Sequence, residues 1–277
     1  MNPDSHTLQS EAISATIKGA GAELCSLRNA EGLELLWQAG PAWPRHSPLL
    51  FPIVGRLKDD QLRHRGKTYP MTQHGFARDH RFAWLRREPN MCQLVLTDEP
   101  DTRSRYPFPF RLEVTLRIDN FGDEVLPASI GAHPAFNWPL SPELAKDEYT
   151  LTFSDDEIAP IRRLKEGLMR AEPEPTPIHG KTLALSERLF DDDAVILDVL
   201  ASSSVRYAGP RGPSIEMSWE GFPQLGVWSN GAPFLCIEPW HGFASPVEFD
   251  GEFADKPGLM HFAPGEKRTF RYRIRVD

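Results

Sequence analysis

The feature that most constrains this chain is a hydrophobic period of two. In Thr269-Phe-Arg-Tyr-Arg-Ile-Arg-Val276, Phe270, Tyr272, Ile274 and Val276 fall on one side and Arg271, Arg273 and Arg275 on the other. Arg111 to Ile118 repeats the pattern, with Leu112, Val114, Leu116 and Ile118 on one face. Only an extended strand sends successive side chains to opposite faces. Such a strand covers a core with one face and meets water with the other. Gln93–Thr97, Tyr149–Phe153, Ala194–Leu197 and Ala12–Ile17 are further strand candidates. The 26 prolines and 20 glycines interrupt nearly every segment, so no helical period is sustained. Short strands punctuated by turn residues predict an all-β fold, a large antiparallel β-sandwich. No compositional break divides the chain, which is expected to form a single domain over residues 1–277. Ala159 to Gly180 is polar and Pro-rich and reads as an extended loop.

Charge and cysteine content remove several function classes. A net charge of -8 argues against a nucleic-acid partner, which selects a basic surface. Three well-separated cysteines (Cys25, Cys92, Cys236) suit free thiols in a reducing compartment rather than a disulfide framework. The first residues carry neither a basic patch nor an apolar run, and no stretch approaches ~18 apolar residues. The expectation is a cytoplasmic protein with no membrane partner, monomeric or homodimeric.

Common cofactor signatures fail on inspection. Gly66-Lys67-Thr68 resembles the end of a phosphate-binding loop, but the required upstream glycine is Gln61. No Gly-x-Gly-x-x-Gly follows a strand, and no Gly-x-Ser-x-Gly elbow is present. The nine histidines show no His-x-x-x-His spacing. No cofactor and no metal is expected, although ligands drawn from distant strands would leave no local spacing.

Three stretches place titratable residues in apolar, Gly- and Pro-rich surroundings: Gln73-His-Gly-Phe-Ala-Arg78, Gly131-Ala-His-Pro-Ala-Phe-Asn-Trp-Pro139 and Cys236-Ile-Glu-Pro-Trp240. Each has an ordinary explanation alone. His74 suits a turn, His133 a loop before Pro134, and Glu238 a structural ion pair. Yet a glutamate behind Phe234-Leu-Cys-Ile237 sits at the end of a buried strand, where an isolated carboxylate costs free energy unless paired or protonated. The joint occurrence of the three stretches is more informative than any one.

Together with Ser47-Pro-Leu-Leu-Phe-Pro-Ile-Val-Gly-Arg-Leu-Lys58, these stretches resemble the aldose 1-epimerase (galactose mutarotase-like) superfamily, in particular its bacterial LacX-like branch. The matches keep the family's order and spacing over residues about 20 to 275. The resemblance implies an antiparallel β-supersandwich and a cofactor-independent isomerase acting on a small-molecule sugar. It implies Glu238 as catalytic base and His133 as catalytic acid. It carries substrate contacts to His74, Arg56, Trp240 and Asn137, and to one of Asp191, Asp192 and Asp193, with Asp193 the choice. His241 departs from the residue expected after Glu-Pro-Trp, a change that bears on pocket shape.

The chemistry suits these residue types. Exchanging anomers requires a proton to leave the C1 hydroxyl while the ring oxygen gains one. A carboxylate and an imidazolium flanking C1 do both, each positioned transfer contributing ~10²–10⁴-fold. Trp138, Trp240 and Phe76 are candidates to face the sugar's C–H side, or else ordinary core aromatics. Two alternatives follow from the same residues. A phosphorylated hexose would recruit Arg78, Arg45 or Lys58. A non-catalytic carbohydrate-binding sandwich would keep the aromatics and not depend on Glu238.

Overall fold

The structure is a computed structural model in which residues 4–11, 13–114, 117–120 and 122–277 are described. It is an all-β sandwich. Helix is confined to one turn at Pro100–Arg103 and a few 3-10 turns among the described residues. Among the described residues no helix is long and apolar enough to cross a membrane.

The sheet that carries the site contains β1 (Leu49–Leu50), β2 (Ile130–Ala132), β3 (Ala135–Asn137), β4 (Val195–Leu197), β5 (Gln224–Trp228) and β6 (Phe234–His241). Its order is β4-β5-β6-β2-β1, with β3 pairing the first half of β6. Two five-stranded antiparallel sheets and a three-stranded N-terminal sheet pack around it. Leu225, Val227, Leu235 and Ile237 point from β5 and β6 into the main core. There they share one continuous cluster with Leu94 and Leu112 from one five-stranded sheet and Leu151, Val205 and Met217 from the other. Alternation then sends Gly226, Trp228, Cys236, Glu238 and Trp240 to the opposite face.

Several expected strands appear with small boundary changes: Met91–Thr97, Thr150–Phe153 and Val195–Leu197. Ile13–Lys18 replaces Ala12–Ile17, Ala12 lying outside the described residues. Three readings need correction. Arg111 to Ile118 is not one strand: Phe110–Glu113 and Arg117–Asn120 pair with each other, Leu112 opposite Ile118. Leu116 lies outside the described residues. Partners in an antiparallel pair share a face, so the alternation survives a reversal of the chain. The C-terminal run is also divided. Lys267–Thr269 joins one five-stranded sheet and Arg271–Val276 the other, with buried Phe270 between them. The Pro-rich segment expected to be loop carries a small hairpin, Leu164–Lys165 with Leu168–Met169.

Candidate active site

The register of β2 and β3 against β6 creates the site. Gly131 pairs with Trp240 and Ala135 with Cys236, the same register on both sides of a short break in the ladder. That register puts His133 directly opposite Glu238, both side chains on the face away from the core. The break coincides with two residues that have no N–H to donate, Pro134 and Pro239. Ile237 N–H still reaches the Pro134 carbonyl at 3.3 Å. On the other flank of β6, Glu238 lies opposite Gly226. A Cβ at Gly226 would come within 2.4 Å of the Trp240 ring, and one at Gly131 within 2.6 Å of the same indole. Two glycines therefore make the slot in which Trp240 lies beside Glu238.

His133 Nε2 stands 3.1 Å from Glu238 Oε2. The approach is at ion-pair distance but is not aligned as a hydrogen bond, and both Glu238 oxygens and His133 Nδ1 are buried without a well-aligned partner. Trp240 Nε1 likewise lacks a well-aligned partner, although its N–H lies near enough to Glu238 to favour the charged carboxylate. Orphaned buried polar atoms are rare, so four converging on one place mark a site built for something other than stability. Burial pushes the Glu238 carboxyl well above its usual range; the Asp193 charge adds to this and the Trp240 indole opposes it. Burial drives His133 down to about 3, with the charges of Arg78 and Arg45 adding to it. Glu238 is thus no ordinary structural ion pair: its neighbour is a second desolvated, titratable group.

These groups line a cleft of about 320 Å³, within the range of small-molecule sites. Trp43 stacks on His133 (centroids 5.1 Å apart, rings inclined 25°), and Trp228 meets it edge-on at 5.9 Å. His74 approaches from a third side at 5.5 Å, nearly perpendicular. His74 has a positive φ of 65°. Two bonds to Gly55 hold it there: His74 N–H donates to the Gly55 carbonyl (2.7 Å), and Gly55 N–H donates to His74 Nδ1 (3.1 Å). Because Nδ1 accepts, the proton of neutral His74 sits on Nε2. Burial first, then the charges of His133, Arg78 and Arg45, lowers its pKa well below the usual value. His74 is therefore a fixed, neutral Nε2–H donor. Gly75 must be glycine: φ is 72°, and a Cβ would lie 2.2 Å from the Phe51 carbonyl oxygen.

The structure brings Glu238, His133, His74, Asp193 and Trp240 to this cleft. Of the three adjacent aspartates, Asp193 lines it, while Asp192 pairs with Arg170. Asp193 has a positive φ and its Oδ1 accepts the Ala194 N–H at 2.8 Å. Arg56 is placed elsewhere. Its guanidinium is clamped by Asp60 at 2.6 and 2.5 Å across an i,i+4 turn, which draws it into a separate surface cleft beside Glu166. Asn137 is also outside. Its Nδ2–H donates to the Glu34 carbonyl at 2.8 Å, and it faces Phe234, four residues before Glu238 on β6. Trp138 and Phe76 are core residues, Trp138 donating to the Lys146 carbonyl and Phe76 packing on Phe51 and Tyr106.

Trp43, Trp228 and Leu164 are cavity residues that the sequence motifs did not single out. Trp228 was within reach of periodicity: in Gln224-Leu-Gly-Val-Trp228, Leu225 and Val227 are core, which leaves Trp228 on the other face. Trp43, in a Pro-rich loop, gave no such signal.

Comparison with known proteins identifies the family and agrees with the fold. The family model described as aldose 1-epimerase matches residues 4–274. The protein LacX of Lactococcus lactis subsp. lactis is 30% identical, covering 97% of this chain and 98% of its own length. A galactose mutarotase related enzyme from Lactobacillus acidophilus superposes with a TM-score of 0.90 at 30% identity, covering 99% of this chain and 97% of that one. A galactose mutarotase-like protein from Lactobacillus casei ATCC 334 gives a TM-score of 0.91 at 29% identity, over 99% of this chain and all of that one (100%).

Proposed function

We propose that this chain, which belongs to the aldose 1-epimerase family, is a mutarotase that interconverts the α and β anomers of a free aldose. The observation that carries this reading is the cross-strand pair of His133 and Glu238, 3.1 Å apart in a sugar-sized cleft, with neither Glu238 oxygen in a well-aligned hydrogen bond. The two oxygens of a hemiacetal hang on one carbon, so two facing proton-transfer groups this close address both at once. In one direction Glu238 accepts the C1 hydroxyl proton while His133 donates to the ring oxygen. The ring opens to the aldehyde, the C1–C2 bond rotates, and reclosure returns both protons.

The pKa directions fit a pair that handles one proton between its members. Burial disfavours the charged form of both groups, pulling His133 down to about 3 and pushing the Glu238 carboxyl up, so it favours the neutral pair with its one proton on Glu238. The ion-pair form contains the same number of protons, so moving between them needs none from solvent. A bound hemiacetal donating to Glu238 and accepting from His133 stabilises the ion-pair form. His74 Nε2–H donates to a sugar oxygen, Asp193 accepts from a hydroxyl, and Trp43, Trp228 and Trp240 cover the apolar sugar face. The whole of residues 1–277 acts as one domain in this reading, supported by the core cluster shared between the central and flanking sheets.

Polarimetry tests it. Freshly dissolved α-glucose or α-galactose should reach anomeric equilibrium faster in proportion to added protein; no acceleration across the common aldoses refutes the proposal. A second reading, a phosphorylated hexose, is favoured by one observation: Arg78 lines the cleft, with Arg45 near it on Asp79. Lys58 instead lies in the surface cleft with Arg56. Comparing rates on glucose and glucose 6-phosphate separates the two.

A further inference from the structure

The face of β6 that carries Glu238 also carries Cys236, a group the proton-transfer chemistry does not use. Cys236 is diagonal to His133 across the β3–β6 pairing, and one ligand atom from each of His133, Cys236 and Glu238 lies within 4.8 Å of the others. All three are buried. Cys236 sits in a small apolar nest with Ala135 and Phe234. An imidazole, a thiol and a carboxylate are the donor set of a borderline-soft cation. Bond lengths of 2.0–2.3 Å to zinc set neighbouring ligand atoms about 3.3–3.8 Å apart, so the three side chains, now within 4.8 Å of one another, would draw together by about 1 Å to hold one ion. The fourth position would face the cleft. The Glu238 oxygens, 1% exposed and without a well-aligned partner, are the second sign that points to a ligand, since a dication would satisfy them as well as a sugar hydroxyl would.

We propose that His133, Cys236 and Glu238 form an inhibitory site for a thiophilic divalent cation such as Zn²⁺. Binding releases the Cys236 thiol proton and the proton held by the His133–Glu238 pair to solvent. The ion then occupies both proton-transfer groups, so sugar and metal exclude one another. The inhibition rests on the function proposed above; the metal binding does not.

The test uses the full chain, metal-free and with its thiols reduced. Co²⁺ titrated into it should give a thiolate-to-cobalt charge-transfer band in the near ultraviolet. The band should vanish in Cys236→Ser and persist in a Cys25→Ser/Cys92→Ser double variant. Zn²⁺ should slow anomerisation competitively with sugar and lose about tenfold or more of its potency in Cys236→Ser, whose basal rate stays near wild type. Glu238→Gln reads the same site without touching the thiol and should weaken Co²⁺ binding by about tenfold or more. Absence of the band in the wild-type chain overturns the proposal. So does a band that survives Cys236→Ser or disappears with Cys25 and Cys92, or Zn²⁺ inhibition unchanged in Cys236→Ser. A Cys236-dependent band in a chain that turns over no sugar leaves the metal site standing and removes the mutarotase reading.

Discussion

Glu238→Gln is the most informative single change. The amide keeps the shape of the carboxyl in a position only 1% exposed, so cavity geometry and the Trp240 slot should persist. What is lost is the proton acceptor 3.1 Å from His133. One positioned transfer is worth ~10²–10⁴-fold, or about 3–5 kcal/mol of barrier. Stability should move the other way. The folded-state pKa of Glu238 lies above its unfolded value of 4.5. Its contribution to stability is therefore complete below pH 4.5 and is lost as pH rises through the raised value. Glutamine does not titrate, so Tm of the variant relative to wild type should climb with pH above 4.5. The assay is polarimetry at matched protein concentration, with spontaneous mutarotation subtracted, alongside thermal melts from pH 4 to 9. A variant that folds yet keeps its rate within about threefold of wild type refutes the proton-transfer argument. A variant whose Tm falls behind wild type as pH rises refutes the assignment of a desolvated carboxyl.

Other outcomes follow from the same geometry. His133 has its pKa depressed to about 3 from 6.5, so wild-type stability should be full above pH 6.5 and fall as pH drops toward 3; His133→Gln should lose less over that window in acid melts. Turnover should be bell-shaped in pH, failing when the pair gains a second proton or loses its last, and a flat profile over pH 4–10 would contradict a shared proton. Gly226→Ala puts a Cβ 2.4 Å from the Trp240 ring, pinned on its other side by Gly131, and should displace the indole, raising KM for sugar and costing about 1–3 kcal/mol in denaturant melts. Gly75→Ala combines a positive φ with a 2.2 Å approach to the Phe51 carbonyl oxygen and should cost at least ~1–3 kcal/mol in denaturant melts.

Much of this molecule was legible in the chain itself. Alternation gave the fold class away because a half-buried strand must separate apolar from polar residues at every step, whereas β6, buried along nearly its whole length, carries apolar residues on both faces and stood out instead by the Glu238 that follows them. Glu238 was conspicuous because a carboxyl at the end of a buried strand demands an explanation. Tertiary structure decided what periodicity leaves degenerate. A run such as Arg111 to Ile118 keeps its alternation whether it continues or doubles back, because antiparallel partners share a face. Arg56 belonged to a matching motif, yet a carboxylate one turn away pulled it out of the cleft, an outcome set by side-chain geometry. Trp43 reached His133 from a distant loop. Most of all, local sequence has no knowledge of register: only the pairing of β2 and β3 with β6 sets residue 133 against residue 238 and makes one pair of two side chains 105 positions apart.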